Sequence, residues 1–223
     1  DRAGLVGEDG QTHQGVFDLA YFRPIPNLII SSPLNEWDLR NLMYTGYKQE
    51  QGPFIIRYPR GKGEMAQWRN EMHEIPIGKG KKIHSGTDVA ILTLGPIGNE
   101  ATKAIREVEQ EGISVAHYDM IFLKPIDEDI LHEVARTFKR IITLENGVIK
   151  GGLGSAVLEF MSDHEYNVHV TRLGVPDEFI GHGTVQEQMH LCKMDAESIA
   201  EKLREEKEAL RTNHNCQLSI IKV

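Results

Sequence analysis

Residues 89–118, VAILTLGPIGNEATKAIREVEQEGISVAHY, decide the fold. Val89 to Leu94 is a short apolar run, rich in aliphatic and β-branched residues, and predicts a buried strand. Gly95-Pro96 ends it. Asn99 to Gln110 then sets Ala101, Ala104, Ile105 and Val108 on one side of a predicted helix. Ile113 to Tyr118 is a second apolar run. A helix between two buried strands makes a crossover, so the strands run parallel, and the crossover is expected to be right-handed.

The same rhythm continues toward the C-terminus. Asp127 to Phe138 predicts a helix with Pro125 just before it and an acidic first turn that suits its dipole. Ile141 to Leu144 predicts a strand, Gly152 to Ser162 a helix and Val168 to Leu173 a strand. Two helices follow, near Val185 to Cys192 and Asp195 to Leu210. Gly78 to Ile83 reads as an added edge strand. Residues 77–210 are therefore expected to form a three-layer α/β/α domain around a mostly parallel sheet. Residues 211–223 stay unassigned, with Leu218 to Val223 open to either a strand or a loose tail.

Toward the N-terminus, the stretch GKGEMAQWRNEMHEIP loses periodicity and turns polar, which marks residues 62–76 as a linker. Ahead of it, Val16 to Phe22 predicts a helix stopped by Pro24 and Pro26. Asn27 to Ser31 predicts a strand. Ser32-Pro33 and Asn35 introduce a helix with Leu39, Leu42, Met43 and Gly46 on its apolar side. Phe54 to Arg57 predicts another strand, leaving Arg60 just past its carboxyl end, where open α/β sheets place their ligands. Arg57 is expected to point away from its neighbours and pair with an acid.

Composition narrows the function classes. The 223 residues are 40% apolar and 26% charged, ordinary for a globular protein. A net charge of −8 argues against a nucleic-acid surface; the basic run Lys79-Gly80-Lys81-Lys82 reads as a solvated strand face. Cys192 and Cys216 form neither a disulfide framework nor a zinc pattern, which favours a reducing, cytoplasmic setting. No apolar run approaches the length of a membrane span, and the first residues lack a secretory h-region.

The stretch Asp1 to Gly15, DRAGLVGEDGQTHQG, carries the chemistry. Its glycines allow backbone N–H groups to approach a ligand closely. His13 is expected at a helix start, where the positive helix end favours a neutral imidazole able to pass a proton. Arg2 and Arg60 converge in this reading as a phosphate clamp, since a guanidinium binds phosphate bidentately. Asp9 is either an acidic turn or an acceptor for a substrate hydroxyl. Glu145-Asn146-Gly147 followed by Gly151-Gly152-Leu153-Gly154 forms either an anion-binding helix start or a close helix–sheet contact.

These motifs, with IPNLIISSPLNEWDLRNLMYTG, GPFIIRYPRG, FLKPID, LENGVIKGGLGS and LGVPDEFIGHGT in this order, resemble the C-terminal third of the 1-deoxy-D-xylulose-5-phosphate synthase family over about Asp1 to Leu210. The resemblance implies the end of a pyrimidine-binding domain at 1–61 and a transketolase-type C-terminal domain at 77–210. It implies thiamine diphosphate and magnesium as cofactors, with pyruvate and D-glyceraldehyde 3-phosphate condensed to 1-deoxy-D-xylulose 5-phosphate and carbon dioxide, for isoprenoid, thiamine and pyridoxal precursors. A homodimer is implied as well. Carried over, Arg2 and Arg60 would grip the acceptor phosphate, Asp9 would contact an acceptor hydroxyl, and His13 would assist proton movement near the reacting carbons. The family's diphosphate- and magnesium-binding motif and its cofactor-activating Glu have no match here. The chain alone is thus expected to be part of something larger, to bind no cofactor and to be inactive. The alternatives are a piece of a transketolase, a piece of a 2-oxoacid dehydrogenase β subunit, or a non-catalytic module that binds an anion or mediates dimerisation.

Overall fold

A computed structural model describes residues 1–63, 65, 67–69 and 71–220, the stretch 213–220 by its backbone alone. Two sheets organise it. The larger has five strands: β3 (Lys81–His84), β4 (Val89–Leu94), β5 (Val115–Asp119), β7 (Arg140–Val148) and β8 (His169–Val175), in the order β3-β5-β4-β7-β8. Its β4–β5, β4–β7 and β7–β8 pairs are parallel, and only the edge strand β3 runs antiparallel, against β5.

Alternation along β4 explains the layers. Val89 and Ile91 face α3 (Gly98–Glu109) and α7 (Ala196–Ile220), packing with Ala101, Ile105, Val108, Ile199 and Leu203. Ala90 and Leu92 face the other way, onto α4 (Glu128–Thr137) and α5 (Leu153–Asp163), through Leu131, Val134, Leu153 and Val157. A fully buried strand flanked by amphipathic helices on both faces is the α/β/α arrangement expected from the sequence. Asp127 caps α4 by accepting from Asp129 N and Ile130 N, as its acidic start suggested.

The smaller sheet joins β1 (Ile29–Ser31), β2 (Phe54–Ile56) and β6 (Phe122–Lys124) in the order β2-β1-β6. The pair β1–β2 is parallel and β1–β6 antiparallel. No element was expected at Phe122–Lys124. It leaves the path of the large sheet and completes a sheet begun ninety residues earlier, so the two sheets share a strand donor across the segment 62–76.

Several expectations are corrected. The helix α2 (Glu36–Lys48) is capped by Asn35, as read, but its inward face is Asp38, Asn41, Leu42 and Thr45, while Met43 is 61% exposed. The polar residues are inside because they have partners: Asp38 binds Lys81, and Asn41 and Thr45 bind the segment 62–76. His73 N donates to Asn41 Oδ1 at 3.1 Å and Ile75 N to Thr45 Oγ1 at 2.8 Å. Through His73 and Ile75 that segment is also strapped to α2. The lysines of the basic run stay partly solvated, as read, with side-chain exposures of 50% for Lys79, 35% for Lys81 and 41% for Lys82, and each also meets an acid: Lys79 with Asp127 and Asp129, Lys81 with Asp38 and Asp119, Lys82 with Glu133. The tail continues α7 as helix through Ile220, in place of the strand or loose end considered for Leu218 onward; residues 221–223 lie outside the described residues.

Candidate functional site: an arginine pair around one carboxylate

The opening stretch folds back on itself at the junction of the two sheets. Gly4 N donates to Gly15 O at 2.7 Å, and Gly15 N to Gly4 O at 2.9 Å. Ala3 N donates to Tyr58 O at 3.0 Å, which ties the start of the chain to the segment leaving β2. Arg2 precedes the first residue of that bond and Arg60 follows the second, so the two arginines arrive at one place. Between them stands Asp9, on a 3₁₀ turn over Gly7–Asp9. Its Oδ2 accepts from Arg60 Nη1 and lies 3.9 Å from Arg2 Nη1. The trio is open to solvent, with side-chain exposures of 42% for Arg2, 58% for Arg60 and 29% for Asp9.

The rest of the molecule holds this turn through its backbone. Leu5 N donates to Asn146 Oδ1 at 3.2 Å, Val6 N to Gln14 Oε1 at 2.7 Å, and Gly7 N to Gln188 Oε1 at 3.0 Å. Three successive amides are thus filled by side-chain carbonyls. They are not free to approach a ligand, which corrects the reading of the glycine-rich loop. Gln188, buried on α6 (Val185–Leu191), also donates from Nε2 to Gly7 O at 3.0 Å and to Gly181 O at 2.7 Å. A side-chain amide pairs here with both polar groups of one peptide residue. The glycines serve close packing: a Cβ at Gly4 would strike the Asn146 amide and one at Gly10 the ring of His182, and both residues have positive φ.

Arg57 is buried and pairs with an acid, as read: Nε donates to Asp18 Oδ2 at 2.8 Å. Its Nη2 donates to Asp18 Oδ1, Gly15 O and Asn146 O, at 3.0, 3.0 and 3.1 Å. It locks the loop to the end of β7.

His13 is not at a helix start. It lies in an exposed turn, and α1 (Asp18–Phe22) begins five residues later. The helix-end argument for its neutral form therefore falls. Its Nδ1 sits 2.9 Å from Thr12 Oγ1, while its N–H donates to Gly10 O. The structure brings Arg2, Asp9 and Arg60 together, and no described contact joins the His13 ring to them.

The helix start at Gly152 is no anion site either. The buried Glu145 carboxylate already accepts from Leu153 N at 2.8 Å and Gly154 N at 2.9 Å. Burial raises its pKa and those two bonds oppose the shift. Gly152 is required because a Cβ there would overlap Glu145.

The residues present do not fit a magnesium–diphosphate pair. Among the described residues, the one trio close enough to share a metal is His190, Asp195 and Glu197. It lies at the α6–α7 junction and includes none of Arg2, Asp9 and Arg60. Magnesium favours oxygen ligands in near-octahedral array, whereas Asp195 is engaged with His190 and with Ser198 N at the start of α7.

Comparison with known proteins gives the site its context. Residues 1–65 match the transketolase pyrimidine-binding domain model and residues 78–199 the transketolase C-terminal domain model. The 1-deoxy-D-xylulose-5-phosphate synthase of Parabacteroides distasonis is 68% identical over 206 residues, 92% of this chain and 33% of that protein. The synthase of Phocaeicola vulgatus is 60% identical over 200 residues, 89% of this chain and 32% of that protein. A solved structure titled split gene transketolase, inactive beta4 tetramer, aligns with TM-score 0.77 and 31% identity, covering 89% of this chain and 63% of that one. The chain spans about a third of the length of the curated relatives it matches.

Proposed function

The chain belongs to the transketolase family, through its pyrimidine-binding and C-terminal domains, and on that premise we propose that it supplies the acceptor-phosphate subsite of a 1-deoxy-D-xylulose-5-phosphate synthase. In this reading the complete enzyme depends on thiamine diphosphate and magnesium and condenses pyruvate with D-glyceraldehyde 3-phosphate, releasing carbon dioxide. Residues 1–61 end the pyrimidine-binding domain, 62–76 connect, and 77–210 form the C-terminal domain. The observation that carries the reading is the meeting of Arg2 and Arg60 at one point on the edge of the small sheet.

Each residue has a part in this scheme. Arg2 and Arg60 hold the acceptor's phosphate. Asp9 accepts from an acceptor hydroxyl, which fixes the face of the aldehyde offered to the reaction. His13, exposed on the adjoining turn, moves a proton at the acceptor's carbonyl oxygen. Cofactor chemistry is the cofactor's own, and the protein's share is to bind and orient. This segment by itself does not turn over; the likeness to a split transketolase subunit described in its title as inactive supports that. A homodimeric enzyme in a reducing cytoplasm completes the reading, and the free, buried Cys192 thiol accords with it.

The test is kinetic. In the complete enzyme that carries this segment, Arg60→Ala is expected to raise the KM for D-glyceraldehyde 3-phosphate about tenfold or more. That is the scale of one lost charge-assisted bond, ~1.5–3 kcal/mol, and the KM for pyruvate stays near its original value. Unchanged acceptor kinetics would refute the assignment.

A further inference from the structure

The acceptor clamp already contains an anion of its own. Both guanidinium groups converge on a single oxygen, Asp9 Oδ2, which stands where a phosphate oxygen would stand in the reading above. We propose that Asp9 is an internal stand-in for the substrate phosphate: its carboxylate fills the Arg2–Arg60 clamp until a dianionic phosphate ester displaces it. The inference rests on the acceptor-site reading and adds to it an internal competitor for the phosphate, one that an uncharged aldehyde cannot replace.

The geometry suits displacement. Ion pairs this exposed change an equilibrium by no more than about fivefold, so the carboxylate is held loosely. A phosphate monoester carries a charge of about −1.5 to −2 near neutral pH and offers three acceptor oxygens. It can bond both arginines at once, whereas Asp9 reaches Arg2 only at 3.9 Å. The backbone meanwhile stays in place. Gly7, two residues before Asp9, is bonded on both its N–H and its C=O by Gln188, and Gly10 is packed against the ring of His182. Only the Asp9 side chain has to rotate. Once released, it lies beside the bound ester, free to accept from a hydroxyl, so the two roles of Asp9 follow one another in time.

The stand-in also sets the charge of the empty clamp. With Asp9 in place the trio carries one net positive charge; with Asn there it carries two. The experiment uses the complete enzyme and inorganic phosphate as the probe, which has no acceptor hydroxyl to confuse the result. Isothermal titration is expected to show phosphate binding about two- to fivefold tighter in Asp9→Asn than in the parent, and lost in Arg60→Ala. Steady-state kinetics are expected to show the preference for D-glyceraldehyde 3-phosphate over D-glyceraldehyde widening in Asp9→Asn, because both acceptors lose the hydroxyl contact and only the ester gains from the vacated clamp. Equal or weaker phosphate binding in Asp9→Asn, with Arg60→Ala still abolishing it, overturns the stand-in and leaves the acceptor site intact. Phosphate binding indifferent to Arg60 in either background overturns both.

Discussion

His117 and Asp119 sit two residues apart on β5, both fully buried, and burial drives their titrations in opposite senses. Desolvation brings His117 down from 6.5 to about 4, helped by the charges of His84 and Lys81. Desolvation lifts Asp119 from 3.8 to about 7; Lys81 on β3 opposes this, as does the bond from Ile121 N, while Asp38 on α2 adds to it. The signs follow from which state holds more protons. Between about pH 4 and 7 folded Asp119 keeps a proton that the unfolded chain gives up, so its contribution is complete in acid and is lost as pH rises through 7. His117 does the reverse: its contribution is complete above 6.5 and is lost as pH falls toward 4. Urea midpoints of Asp119→Asn, measured against the parent, are expected to improve steadily from about pH 4 to 7. A difference that stays constant across that range would contradict the buried titration. At this scale the sequence told only part of the story. Arg2, Asp9 and Arg60 were legible because each lies just outside a strand or within a charged, glycine-rich loop. Asn146 and Gln188 were not recognised as its supports, since their partners lie 141 and 181 positions away and nothing local marks an amide that will meet a distant peptide.

Among the elements, α6 is short yet well made, with a capping box in which Thr184 and Glu187 satisfy each other's backbone N–H. Its buried product is one side chain, Gln188. Replacing Gln188 by Leu leaves the N–H of Gly7 without its partner, at ~1–3 kcal/mol, while Gly7 O keeps the bond from Gly10 N. The variant is expected to lose about 1–3 kcal/mol in denaturant unfolding and, on the proposed acceptor role, to raise the acceptor KM as the Asp9 turn loosens. A stability within error of the parent would show that water or a shift in the loop replaces the amide. The helix α2 illustrates why some elements read well and their faces poorly. Asn35 and the length of the pattern disclosed the helix, but a count of apolar residues chose Met43 for the inside. The inward face is polar because Asp38, Asn41 and Thr45 bind Lys81, the His73 N–H and the Ile75 N–H. Buried polar groups with partners are ordinary in proteins, yet hydrophobic periodicity is blind to them. β7 was cut short at Leu144 for the same reason: its continuation, Glu145-Asn146-Gly147, is polar and serves the contact with Leu5, Leu153 and Gly154.

Over the whole molecule, one core runs through both sheets. Leu28 and Ile30 of the small sheet and its approach pack in the same cluster as Ala90, Leu92, Tyr118 and Leu131. Lys81 on β3 bonds Asp38 on α2 at 2.8 Å and faces Asp119 at 3.7 Å, joining the two halves by charge. Arg57 and Gln188 add bonds in the other direction. With so much shared, calorimetry is expected to record a single transition whose van't Hoff and calorimetric enthalpies agree. Two resolved transitions, one for residues before the strap and one for those after it, would show that the halves hold together only loosely. The order of layers and the parallel sheet were readable from residues 89–118 outward, because buried strands and amphipathic helices announce themselves. The coupling of the halves was not, because it runs through a strand of three residues, too short to stand out from its neighbours.

That short strand governs the timetable of assembly. β1 gains its antiparallel neighbour only from Phe122–Lys124, so a growing polypeptide emerging from a ribosome presents one side of β1 unpaired until Phe122 has been made. During that interval the arginine-bearing loop has neither Gln188 nor Asn146 to hold it. The arginine pair begins at the front of this segment, but the loop that carries it is fastened from the rear, last of all when α6 arrives.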